Sequence, residues 1–222
     1  GWYKIASHLN VPPGVELRGI WDVPHHTISQ GSVLLASEGN GNAGGTPFIT
    51  LQQNSGVRGL TIWYPDQNYV PFPWTIRVGG ANCWVKDVVL ANSYQGIDLA
   101  TVPSPNHWVS YVGGSPLKTG IYVSNNTGEG WIENVQFNSH YWNRSTGYPK
   151  NVNPNPSSPT TYQQANLDAL KFGSCFNEHQ AGNFVFAAKR GLYFPNDGGV
   201  CKSDVFMHGT DAGSYAISVE SP

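Results

Sequence analysis

The sequence predicts an all-β solenoid: a single-stranded, right-handed parallel β-helix of about seven to eight coils, forming one domain over residues 1–222. Three observations predict it. A short apolar motif recurs at a near-constant interval. A second, alternating motif runs in phase with the first. Both sit in a chain poor in charge and rich in glycine and aromatic residues.

The first motif reads Phe48-Ile49-Thr50-Leu51, Trp74-Thr75-Ile76-Arg77-Val78, Gly96-Ile97-Asp98-Leu99, Gly120-Ile121-Tyr122-Val123, Ala169-Leu170-Lys171-Phe172, Gly191-Leu192-Tyr193-Phe194 and Tyr215-Ala216-Ile217-Ser218-Val219. Measured between Ile49, Ile76, Ile97, Ile121, Leu170, Leu192 and Ile217, the steps are 27, 21, 24, 49, 22 and 25 residues. A repeat of this length is the mark of stacked units that bury a shared core. The 49 is a double step, so one coil carries an insertion or is irregular.

The second motif reads Leu17-Arg18-Gly19-Ile20, Val57-Arg58-Gly59-Leu60-Thr61-Ile62, Val85-Lys86-Asp87-Val88-Val89-Leu90, Ile132-Glu133-Asn134-Val135-Gln136-Phe137 and Ser203-Asp204-Val205-Phe206. Apolar residues alternate in it with period two, which is a strand pattern. Two or three short strands per repeat, with Gly, Asn and Pro at the corners, describe a coil. Each strand is then expected to pair with its equivalent one coil away, about 4.8 Å along the axis.

Along the chain, Leu9 to Gly19 reads as strand, Pro-Gly turn, strand. Residues 37–46 are a Gly- and Asn-rich loop. Residues 63–73 are an aromatic and proline-rich excursion. Residues 138–165 are the longest irregular stretch, and Asn151 to Pro159 within it excludes regular strand or helix. A loop of that length is commonly functional. Gln163 to Leu170 is the one short helix expected.

Charged residues make up 12 % of the chain, about half the usual share. The net charge of −2 supplies no basic footprint for nucleic acid. No apolar run is long enough for a membrane-spanning helix. The balance suits an extracellular or cell-surface protein. Cys83, Cys175 and Cys201 are an odd number, so at least one is unpaired within the chain. Cys175 and Cys201 are about one coil apart and are candidates for axial neighbours. All three also fit as small buried apolar residues.

Gly1-Trp2-Tyr3-Lys4-Ile5, followed by Leu9-x-Val11-Pro12-x-Gly14-Val15-x-Leu17-Arg18-Gly19, resembles the opening motif of the pectate-lyase-like right-handed β-helix superfamily. Val33-Leu34-Leu35-Ala36 and Gly59-Leu60-Thr61-Ile62 continue the resemblance. Trp21 to His26, taken with Tyr64 to Gln67, is similar to secreted bacterial members of unassigned activity. The resemblance implies glycan chemistry, since the superfamily includes polysaccharide lyases, glycoside hydrolases, epimerases and glycan-binding spikes. It does not select a reaction. The chain departs from the polygalacturonase-like pattern in having no Asp-Asp pair. It also lacks the acidic cluster of the calcium-dependent lyases, so no cofactor is expected and calcium is not indicated. The abrupt ends lead us to expect an internal part of a longer β-helix, or ends covered by self-association.

The richest candidate cluster is Trp63, Tyr64, Asp66, Trp74 and Arg77. Aromatic faces stack on sugars, while Asp and Arg bond hydroxyls or carboxylates. Tyr122 and Trp142 join these as candidate substrate contacts. Asp98, Glu133, His140 and Lys171 are the candidate catalytic residues. Glycoside hydrolysis needs two carboxyl groups about 5–9.5 Å apart, which neighbouring coils can provide. A lyase instead needs a base and a group neutralising a uronate, for which Lys171, His140 or Arg77 could serve. Tyr122 and Lys171 fall in the same strand series as Asp98 and could share its face. His25-His26, beside Trp21 and Asp22, is a further sugar-contact or proton-transfer candidate, and its spacing does not suggest a metal site. Asn125-Asn126-Thr127 and Asn143-Arg144-Ser145 match glycosylation acceptors. The expected function is therefore a secreted glycoside hydrolase or polysaccharide lyase. The rival is a non-catalytic, adhesive β-helix that binds glycans or assembles into filaments.

Overall fold

The computed structural model describes residues 1–20, 31–145 and 158–220. Among them the chain is all-β, with twenty strands and two short helices, and the strands lie in two long parallel sheets. His25-His26, with Trp21 and Asp22, and most of the Pro-rich run from Asn151 lie outside the described residues.

One sheet holds the first motif. Its eight strands are Leu9–Val11, Ile49–Leu51, Trp74–Val78, Gln95–Leu99, Thr119–Val123, Asp168–Phe172, Arg190–Phe194 and Tyr215–Val219, in chain order. We call it the marker sheet. The seven markers from Ile49 to Ile217 occupy one cross-strand column. All but Ile217 are buried. Ile121 pairs directly with Leu170, so the 49-residue step is a single repeat carrying an insertion.

The other sheet runs through Trp2–Ile5, Ser32–Ala36, Gly56–Trp63, Trp84–Leu90, His107–Gly114, Gly130–Glu133, Cys175–Ala181 and Cys201–Phe206, again in chain order. We call it the bent sheet. Gly59, Asp87, Tyr111, Asn134, Gly182 and Met207 each have φ between 53° and 70°. The flanking register puts them in equivalent places along successive strands. An isolated left-handed residue turns a strand. Beyond the turn the short strands Gln136–Phe137, Phe184–Phe186 and Gly209–Asp211 carry the pairing on. A further corner is set by Asn54, Asn82 and Asn106, all left-handed. Their side-chain amides form a ladder, with Asn82 Nδ2 donating to Asn54 (2.7 Å) and Asn106 Nδ2 to Asn82 (3.0 Å).

Three expectations need correction. Residues 107–114 and 175–181 are full strands that the second motif did not include. Their inward positions hold His107, Glu178 and Gln180, all buried, and polar residues there hide the apolar alternation. The helix expected over Gln163 to Leu170 runs instead over Ser158–Asn166. It includes Pro159, which is tolerated in a first turn because no N–H is needed there. Leu170 is drawn into strand by its place in the marker column. The insertion also holds a single-turn helix, His140–Asn143.

That turn anchors the insertion. Trp142 is fully buried with Val33, Trp63, Val89, Ala91, Leu117 and Tyr141, and its ring lies 5.1 Å from that of Tyr69. The main core is a separate, continuous cluster of mostly aliphatic side chains from both sheets, with Phe48, Tyr64, Phe72, Phe137 and Phe172 among them. No helix of the described residues is long and apolar enough to cross a membrane.

Candidate functional site

Strand alternation sends residues next to the markers to the opposite side of the sheet. Here they form a second column: Asn10, Thr50, Arg77, Asp98, Tyr122, Lys171, Tyr193 and Ser218, one per strand. Every member is polar or carries a polar tip. Four candidates from the sequence, Arg77, Asp98, Tyr122 and Lys171, are therefore brought together in consecutive rungs.

Their contacts are dense. Arg77 Nε lies 2.7 Å from Asp98 Oδ2. Asp98 Oδ1 accepts the backbone N–H groups of Ala100 (3.0 Å) and Thr101 (2.9 Å), which locks a carboxylate that is 1 % exposed. Tyr122 Oη donates to Asp197 Oδ2 at 2.8 Å. Lys171 Nζ reaches the same oxygen at 2.9 Å and sits 4.0 Å from the centre of the Tyr122 ring. At the end of the row, Arg190 grips Asp168 with two nitrogens, at 2.6 and 2.8 Å. Its guanidinium lies 3.4 Å from the centre of the Tyr193 ring, and Tyr193 Oη donates to Glu220 at 2.6 Å.

The electrostatics follow from these contacts. Burial, and then the hydrogen bond to Asp197, push the Tyr122 phenol up to about 12. Burial works against the Asp197 carboxylate, but the bonds from Lys171 and Tyr122 outweigh it and hold its pKa below the usual carboxylate range. Burial and the bond to Glu220 raise Tyr193 to about 12. Around neutral pH the row thus offers phenols that keep their protons and a carboxylate that stays ionised. Each carboxylate along it faces a cation: Asp98 faces Arg77, Asp197 faces Lys171, and Asp168 faces Arg190. Such a set makes directional hydrogen bonds to hydroxyls and carboxylates.

The remaining candidates lie elsewhere. Trp63, Tyr64 and Trp142 are at most 1 % exposed, so their rings present no face to a sugar. Trp63 and Trp142 pack under the insertion. Tyr64 packs on Phe72 with ring centres 4.8 Å apart and bonds Thr75. The aromatic excursion thus covers its own apolar surface. Asp66 is exposed on that excursion, and Trp74 is half-buried at the start of its strand. Glu133 lies on the bent sheet, accepting from Trp108 Nε1 and Ser110 Oγ, each at 2.9 Å. His140 stacks on Phe186 (5.5 Å), and burial lowers its pKa. The site thus keeps four of the eleven candidates and gains Asp197, Arg190 and Tyr193. Tyr193 was legible, since Gly191-Leu192-Tyr193-Phe194 repeats the motif that carries Tyr122; Arg190 stands just before that motif and was not. Asp197 lies in a turn outside the repeat, and nothing in the sequence marks it.

Among the described residues no group of His, Cys, Asp and Glu side chains is arranged to hold a metal. No protein-family model, no curated protein and no solved structure matches the chain.

Proposed function

We propose that this protein is a single-stranded, right-handed parallel β-helix that binds a polysaccharide across the outer face of the marker sheet. The observation that carries the reading is the in-register row of Arg77, Asp98, Tyr122, Lys171 and Tyr193. Consecutive rungs about 4.8 Å apart set the half-buried Arg77, Tyr122 and Lys171 along a line, with Asp98 and Tyr193 buried among them, which suits a chain ligand. The solenoid reading is supported by parallel pairing of each strand with its equivalent one repeat away, and parallel crossovers are right-handed in nearly all cases. The resemblance of the opening residues to the pectate-lyase-like superfamily agrees with both parts. A protein of this kind works outside the cell or on its surface.

The test is affinity electrophoresis through gels holding neutral or uronate polysaccharides. At least one polysaccharide should retard the folded protein. The Lys171→Ala/Tyr122→Phe double variant should bind it roughly tenfold more weakly. Retardation by none, or equal retardation of the double variant, contradicts the reading.

A second reading, cleavage of the bound chain, is favoured by one spot in the row. There the Asp197 carboxylate and the Tyr122 hydroxyl meet at 2.8 Å, which places a proton acceptor beside a proton donor. New reducing ends without unsaturated-uronate absorbance would identify hydrolysis, and both signals would identify elimination. Neither signal would leave binding alone.

A further inference from the structure

The bent sheet carries a different column on its outer face. Glu16, Gly56, Trp84, Trp108, Trp131, His179 and Asp204 occupy successive rungs in register. The three tryptophans recur at steps of 24 and 23 residues. Trp108 is 46 % exposed and Trp131 is 40 % exposed. Single exposed apolar rings are ordinary, but a contiguous row of them marks a candidate binding surface.

Each ring is held in place. A Cβ on Gly56 would overlap the Trp84 indole, so the ring lies over that glycine. Its Nε1 donates to Glu16 Oε1, two rungs away, at 2.7 Å. Trp108 Nε1 donates to Glu133 at 2.9 Å, and the Lys86 ammonium sits 3.3 Å from the centre of its ring. Trp131 Nε1 donates to Glu129 at 2.7 Å, and the His179 ring stacks on it at 4.4 Å. His179 is in turn held 3.2 Å from Asp204. Rings fixed in this way lose little conformational freedom when a ligand arrives.

We propose that this face is a second, separate binding site, for an uncharged polysaccharide lying along the Trp84–Trp108–Trp131 column. The ligand class follows from the chemistry of the face. Indole faces suit the C–H face of a pyranose, and the carboxylates on the indole N–H groups place acceptors at the ring edges, where hydroxyls lie. Two residues further along each strand, Arg58, Lys86, Ser110 and Glu133 form a parallel polar column. On the strands of the three tryptophans the cation of that column is Lys86, which is engaged by Trp108; Arg58, engaged by Asp87 at 2.9 Å, and the exposed Arg18 continue the column beyond Trp84, so the rungs that carry the indoles favour an uncharged chain. A peptide strand has no place here, because strand addition needs a sheet edge and this is a face.

The inference does not rest on the marker-sheet row, which belongs to the other sheet. It is tested by calorimetric titration and tryptophan fluorescence with neutral β-1,4-linked gluco-, manno- and xylo-oligosaccharides at millimolar concentration. At least one should bind and change the fluorescence. Trp108→Ala and Trp131→Ala should each weaken it roughly tenfold, and Trp108→Phe should retain most of the affinity. Unchanged melting temperatures separate lost contact from lost fold. The proposal is overturned if no neutral saccharide binds, or if both alanine variants bind as the parent does. It is also overturned if sedimentation shows two copies paired through this face, with the pairing abolished by Trp108→Ala. Loss of binding in Lys171→Ala/Tyr122→Phe alone would support the marker-sheet row and count against this site.

Discussion

His107, Gly130 and Glu178 occupy successive rungs of one inward column. Both ionisable side chains are at most 1 % exposed. His107 Nε2 meets Glu178 Oε1 at 3.0 Å across the glycine, and its Nδ1 lies 2.8 Å from the Ser104 carbonyl oxygen. A Cβ on Gly130 would overlap both side chains. Gly130→Ala should therefore part the pair and cost about 3 kcal/mol, read by urea unfolding; a loss within about 0.5 kcal/mol would refute the argument. Burial opposes the imidazolium, but attraction to Glu178 and the hydrogen bond the imidazolium donates to it outweigh burial, and the His107 pKa is raised. A raised folded pKa gives stability that is complete below the unfolded value of about 6.5 and lost as pH rises through the folded value. Melting temperature should thus fall on the alkaline side of about pH 6.5, and the fall should be absent from the His107→Leu/Glu178→Leu double variant. An equal alkaline fall in both would contradict this. None of this was legible in the sequence, because a polar residue facing inward looks the same as one facing water.

At the scale of the strand, the left-handed turn repeats down the bent sheet, yet only two of its six positions are glycine. Asn134 and Asp87 are polar side chains that accept this conformation at modest cost. Tyr111 is not: its φ is 53°, and its ring is 56 % exposed, so little packing offsets the strain. Tyr111→Gly should stabilise the protein by about 1 kcal/mol, measured by denaturant midpoint, and a destabilisation would show that the tyrosine makes contacts worth more than its backbone costs. Strand legibility followed the core. Val57, Val85 and Ile132 announced their strands, while the segments around His107 and Glu178 did not. The helix boundary was missed because Leu170 answers to the marker column and not to local helical pattern.

For the whole molecule, the repeat was legible because stacking requires equivalent residues at equivalent heights. Ile49 to Ile217 were found by spacing and stand in one column. The marker-sheet row was half legible: Arg77, Asp98, Tyr122 and Lys171 share the markers' phase, whereas Asp197 reaches the row from a turn. The aromatic candidates misled for a physical reason. Trp63, Tyr64 and Trp142 are large enough to be needed beneath their own loops, and the tryptophans that do face solvent start strands of the bent sheet. The most direct test of the central claim is retardation of the folded protein in gels containing neutral and uronate polysaccharides, run beside the Lys171→Ala/Tyr122→Phe variant. Retardation of the parent by at least one polysaccharide, reduced in the variant, is the predicted result. Free migration of the parent through every gel would contradict it.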